Sequence, residues 1–162
     1  AGVAQALVTK IGPRIVMVTG LALVGLGQIW YTQIPVGGHY FWDLFPGFFA
    51  TGIGIVFGFV PVSIVGLAGI KNADAGLASG LVNTTQQIGG AVGTAIVTSA
   101  WLGHLVYSPT GQPTKESVVA GQHAAFVSGA IFAAIGVGAT LALIRGKDLE
   151  TSVEAEAVPV PA

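Results

Sequence analysis

The chain lacks charge where charge would matter most to a water-soluble fold. Residues 15–42, 44–70, 75–114 and 117–144 contain no Asp, Glu, Lys or Arg. Each stretch holds an apolar run long enough to cross a bilayer, which takes roughly 20 residues of helix. A soluble domain keeps about a quarter of its residues charged. Here 8% are charged and 52% are hydrophobic. A soluble bundle of Ala/Gly-rich helices would need charged outer faces, which these runs do not supply. The pattern is that of an all-α, multi-pass membrane protein, with the lipid bilayer as its first partner.

Four spans are predicted, at about 15–34, 44–69, 77–105 and 123–144. Trp30 and Tyr31 close the first, ahead of a turn containing Pro35, Gly37 and Gly38. Tyr40, Phe41 and Trp42 lead into the second as an interfacial aromatic belt. Trp101 and Tyr107 mark the exit of the third. The apolar residues 1–8 stop at Lys10 and read as the end of a fifth helix. The chain is therefore expected to be the C-terminal part of a longer polypeptide. The tail, 146–162, is charged, then Pro-rich and acidic, and is expected to be disordered.

The basic residues set an orientation. Lys10, Arg14, Lys71, Arg145 and Lys147 precede the first span, separate the second from the third, and follow the fourth. Four crossings put those places on one side, and Lys115 alone is on the other. The positive-inside rule makes the first side, and the C-terminus, cytoplasmic.

Several functions have nothing to rest on. The net charge of −1 comes without a basic patch, so no nucleic-acid partner is expected. With no cysteine, disulfides, thiolate metal sites and cysteine nucleophiles are excluded. No nucleophile–base pair or phosphate-binding loop suggests an enzyme. His39, His104 and His123 fall at the predicted outer ends without metal-ligand spacing. Asp43 lies at the outer edge of a span. Asp74 is placed as the N-cap of the third span, its carboxylate on the first-turn amides.

The third span has the most informative face. At 100° per residue, Gly76, Ser79, Gly80, Asn83, Gln86, Gln87, Gly90, Gly93 and Thr94 share one side. Leu77, Leu81, Ile88, Val92, Ala95 and Ile96 share the other. Three amides in lipid would each lack a partner at a cost of several kcal/mol, so they must face protein or water. They either line a polar pathway or bond to neighbouring helices. The small-xxx-small pairs Gly76/Gly80 and Gly89/Gly93 suit close helix approach. The second span places Gly47, Thr51, Gly54, Gly58 and Pro61 together, with Phe49, Val56, Val60 and Leu67 opposite. Pro61 removes a backbone hydrogen bond and can kink the helix. This face suits either a moving hinge or close packing.

The run 73–93, ADAGLASGLVNTTQQIGGAVG, resembles the penultimate span of bacterial major facilitator transporters. It is most similar to the fourteen-span drug:proton antiporter family (EmrB/QacA type). The matching positions are Gly76, Ser79, Gly80, Asn83, Gln87, Gly89, Gly90 and Gly93, and Gln86 stands where that family often has Arg. The stretch 52–61, GIGIVFGFVP, is similar to the preceding span, and Lys10-Ile-Gly-Pro-Arg14 looks like a reduced cytoplasmic loop signature.

The resemblance implies that 1–145 supplies the last four helices, and the end of a fifth, of a major facilitator C-terminal half. It implies a proton-coupled exporter of small lipophilic molecules, of the multidrug-resistance kind, in the bacterial cytoplasmic membrane. The proton gradient would be its energy source, without a cofactor, and the missing N-terminal half its partner. Thr51, Asn83, Gln86, Gln87 and Thr94 would belong to the substrate pathway. Gly54, Gly58, Pro61, Gly76, Gly80, Gly90 and Gly93 would serve helix packing or hinging. The alternatives are an importer or facilitator of another solute on the same fold, and a four-span scaffold without transport.

Overall fold

The computed structural model describes residues 2–67, 70–71 and 73–144. The expected tail 146–162, with Arg145 and Lys147, lies outside the described residues, as does the predicted end of the second span at Gly69. Among the described residues the fold is helical, with no strand: α1 (Gly2–Ile11), α2 (Pro13–Tyr31), α3 (Phe45–Leu67), α4 (Ala75–Leu102) and α5 (Lys115–Leu143). A π-helical turn, Tyr40–Leu44, runs directly into α3.

Local chemistry sets the breaks. Gly12 separates α1 from α2 with φ +84°, a conformation that favours glycine. Pro13 then occupies the first turn of α2, where its missing N–H costs nothing. Thr114 caps α5, its Oγ1 accepting from the Ser117 N–H at 3.3 Å. Ser117 Oγ in turn donates to the Val106 carbonyl at 3.1 Å, tying the α4–α5 turn to the start of α5. These contacts start α5 at Lys115, well before the expected 123, with Lys115 and Glu116 as an exposed polar first turn.

Asp74 departs from expectation. It stands at the N-cap of α4, but its side chain caps nothing. Its backbone is already helical (φ −103°, ψ −3°) rather than extended, as a capping residue's usually is.

Three helices are long and apolar enough to cross a membrane: α2, α3 with its π-turn, and α5. The helix α4 is long enough, with 28 residues, or about 42 Å at ~1.5 Å per residue. Asn83, Gln86, Gln87 and a run of hydroxyls and glycines leave it less apolar than the other three. Four spans were expected, and the apolarity criterion is met by three.

The helix α2 lies at the centre, packed against α3 on one side and α5 on the other. The α2–α3 seam is built from backbone. A Cβ on Gly20 would lie 2.6 Å from the Gly58 nitrogen and 2.8 Å from the Gly54 carbonyl oxygen. One on Gly54 would lie 2.6 Å from the Gly20 carbonyl oxygen. Further along, Gly27 meets Thr51 and Gly47 meets the Tyr31 ring. With lipid outside, close backbone approach of this kind is what holds two helices together. Tyr31 closes the seam between Phe48 of α3 and Phe126 of α5, at ring-centroid distances of 5.6 and 4.8 Å.

Two ties fasten α5 to α2 and to the turn that follows it. Arg14 donates to the Leu141 carbonyl at 2.8 Å, capping the end of α5, and His123 Nε2 bonds the Ile34 carbonyl at 2.9 Å. The ends of the bundle differ in character. Lys10, Arg14 and Lys71 cluster at one, the basic end; Trp30, Tyr40, Trp42, Trp101 and Tyr107 gather at the other, the aromatic end.

Candidate functional site

The helix α4 contains no buried residue. It meets α5 through Trp101, which packs on Gly121, where a Cβ would lie 2.6 Å from the Trp101 carbonyl oxygen. It meets α3 near the basic end, where Val82 lies against Gly66. The side of α4 that touches these neighbours runs through Ala78, Val82, Gln86, Gly93, Val97 and Ala100, all partly covered. That line is offset from the polar stripe. One flank of the stripe reaches the bundle, and the other faces away from every described element.

The covered flank borders a cleft of about 250 Å³ lined by Ser63, Leu67, Ser79, Val82, Asn83 and Gln86. Two carboxamides and two hydroxyls therefore share a space between α3 and α4. Ser63 spends its proton on the Phe59 carbonyl at 3.3 Å, leaving its lone pairs free. None of the described residues lining the cleft carries a formal charge, so they can orient neutral or weakly polar groups by hydrogen bonding.

The five expected pathway residues separate. Asn83 and Gln86 line this cleft. Gln87 and Thr94 lie on the exposed flank of the stripe. Thr51 is elsewhere: it sits in the α2–α3 seam against Gly27, its hydroxyl buried without a hydrogen-bond partner among the described residues. The expected packing residues divide the same way. Gly54 and Pro61 are buried in the bundle, and the Gly58 backbone meets Gly20. Around Gly76, Gly80, Gly90 and Gly93 a Cβ would meet nothing within 4 Å.

The hydroxyls of Thr84 and Thr85 are satisfied by the carbonyls of Gly80 and Leu81, both at 2.8 Å. The amides of Asn83, Gln86 and Gln87 have no hydrogen-bond partner among the described residues.

Ser63 was missed by sequence reasoning. It lies on the α3 side that carries Phe49, Val56, Val60 and Leu67, the apolar side opposite the glycine face. Its basic end turns out to face α4, through Leu67 and Ser63. A lone serine in an apolar stripe was the available signal.

Among the described residues, no three His, Cys, Asp or Glu side chains come together to hold a metal. His104 and His123 each bond a backbone carbonyl, at 2.8 and 2.9 Å. Comparison of the chain with protein-family models, with curated proteins and with solved structures gives no match in any of the three.

Proposed function

We propose that these helices form part of a secondary active transporter: a major facilitator protein exporting small lipophilic molecules by proton-coupled alternating access in the bacterial cytoplasmic membrane. The observation that carries the reading is the state of α4. Its amides have no partner among the described residues and a Cβ on its glycines would meet nothing within 4 Å, while α2, α3 and α5 are already packed together through α2.

A spanning helix in that state would leave three carboxamides in hydrocarbon, at several kcal/mol each. A water-filled cavity, or a second bundle against the stripe, removes that cost. A transporter supplies both, because its substrate path runs between two bundles that rock about it. The motif along 73–93 supports the same reading.

The division of labour follows from the charges. The interiors of α2 to α5 contain no Asp, Glu, Lys or Arg. Proton coupling needs an ionisable group that loads and unloads within the membrane. In this reading that group belongs to the other half of the polypeptide. The chain's part is to offer Asn83, Gln86 and Ser63 as neutral hydrogen-bonding partners to substrate. The basic end faces the cytoplasm, and α4 crosses the membrane beside α2, α3 and α5.

The test compares two substitutions on α4 in the polypeptide that carries this chain. Gln86→Leu removes a group that lines the cleft, whereas Thr85→Leu changes one whose hydroxyl is bonded to its own helix. At matched abundance, Gln86→Leu is expected to lower gradient-driven efflux of a lipophilic cation about tenfold, the effect of losing one hydrogen bond of ~1.4 kcal/mol. Thr85→Leu should change it little. Equal activity in both variants rejects the pathway role of Gln86.

A further inference from the structure

A second polar site lies at the aromatic end, away from α4. Between the end of α2 and the π-helical turn is a cleft of about 150 Å³ lined by Trp30, Gln33, Ile34 and Asp43. Its walls are held firmly. The Asp43 N–H donates to the His39 carbonyl at 2.9 Å, and Asp43 Oδ2 accepts from the His39 N–H at 2.6 Å. The Trp30 indole N–H donates to the Asp43 carbonyl at 2.9 Å. At Gly38 a Cβ would lie 2.8 Å from Asp43 Oδ2, so the loop closes over that oxygen with hydrogen alone.

What the fold leaves unspent defines the ligand. One carboxylate oxygen of Asp43 and the carboxamide of Gln33 bond to no other described residue. The indole edge is used, and its face remains. No Lys or Arg lines the cleft, so the Asp43 charge is not neutralised there.

A carboxylate repels anions; it can accept a hydrogen bond from a neutral donor, but only a cation also gains the Coulombic attraction. Calcium asks for six to eight oxygens, and magnesium for a near-octahedral set; one carboxylate and one amide fall short. A cation with an apolar surface meets both halves of the site. The carboxylate supplies charge and the indole face supplies cation–π attraction. The volume is below the ~300–1,000 Å³ typical of sites for drug-sized ligands, so it suits a head group.

We propose that this cleft binds a small organic ammonium group. The source is either a free amine or the head of an ethanolamine or choline phospholipid, which would sit at this depth beside the aromatic belt. The site does not depend on the transport reading of α4.

The test uses the intact protein in lipid nanodiscs. In discs of phosphatidylglycerol alone, choline is titrated while tryptophan fluorescence is read. Its neutral isostere 3,3-dimethylbutanol is the control. In a second set, ethanolamine lipid is mixed in and lipid retention is measured by native mass spectrometry. Saturable choline binding without the isostere's supports the site and assigns it to a free amine. Selective retention of ethanolamine lipid supports it and assigns it to a head group.

In either case Asp43→Asn is expected to weaken binding at least about tenfold, or ~1.4 kcal/mol, since it removes the one negative charge that faces the ammonium, whether or not that ammonium carries an N–H. Asparagine keeps an oxygen for the His39 N–H, so the turn survives the change. Trp30→Leu should weaken choline more than the primary amine. The proposal is overturned if neither source binds, if the isostere binds as well as choline, or if Asp43→Asn binds undiminished.

Discussion

Two regions of this molecule use the same residue type to opposite ends. In the α2–α3 seam, Gly20, Gly27, Gly47 and Gly54 are buried, and a methyl group at any of them would strike another helix. On α4, a Cβ at Gly76, Gly80, Gly90 or Gly93 would meet nothing within 4 Å among the described residues. A glycine stripe in a membrane sequence thus records a close approach without saying whether the partner lies within the chain. The seam finds its partner inside; the α4 stripe does not. The amides sharpen the contrast, because a spanning helix gains nothing by carrying carboxamides that nothing meets.

The comparison can be broken most directly by filling both stripes. Gly20→Leu forces side-chain atoms into the α3 backbone. It is expected to cost at or above the ~3 kcal/mol upper end of ordinary overpacking. Gly80→Leu should cost nothing within this bundle. Thermal unfolding of the purified protein in detergent separates the two, and equal destabilisation would show that the α4 stripe is packed after all.

A smaller effect is expected at the one anchor of α4 near the aromatic end. Trp101→Ala empties the contact with Gly121. Because Trp101 is partly exposed, we expect about 1–2 kcal/mol, below the ~3–5 typical of a fully buried aromatic. Protease sensitivity should rise in the α4–α5 turn and stay unchanged in α2. If α2 also becomes sensitive, the two regions are not energetically separate.

Arg14→Leu removes the bond to the Leu141 carbonyl. Arg14 is half-exposed, and the loss should be about 1 kcal/mol. It should loosen α5 without changing α4, as read by hydrogen exchange at the two helix ends. The smallest perturbation carries orientation alone. Single cysteines at Thr110 and Ala73 should leave stability unaltered. In intact cells an impermeant thiol reagent should label Thr110→Cys and spare Ala73→Cys. The opposite pattern would reverse the orientation.

The seam was half legible in the sequence. The shared face of Gly47, Thr51, Gly54 and Gly58 could be read from α3, but nothing in α2 announced Gly20 and Gly27 as its counterpart. Helical periodicity describes one helix at a time, and pairing is a property of two. The polar stripe of α4 was legible for the same reason in reverse: three amides in an apolar run stand out with no knowledge of a neighbour.

Termini were read less well. The start of α5 was hidden because Lys115 and Glu116 look like loop, although the spacing of Thr114 and Ser117 held the cap. Asp74 has the right side chain for a cap and the wrong backbone. The ammonium cleft could not have been foreseen, since it depends on a π-helical turn that brings Asp43 to Trp30. Ser63 was concealed by the apolar residues around it.

The two ties between α2 and α5 carry a mechanical meaning. A rod pinned at one point can pivot or slide; pinned near both ends, it can do neither. Arg14 and His123 thus hold α5 to the start of α2 and to the turn just after it, and the glycine seam joins α3 to α2. The helix α4 packs mainly along α5, with Trp101 on Gly121, and meets α3 at Val82. The described helices thus divide into a joined set, α2, α3 and α5, and a fourth, α4, that is less firmly bound to it and has no buried residue.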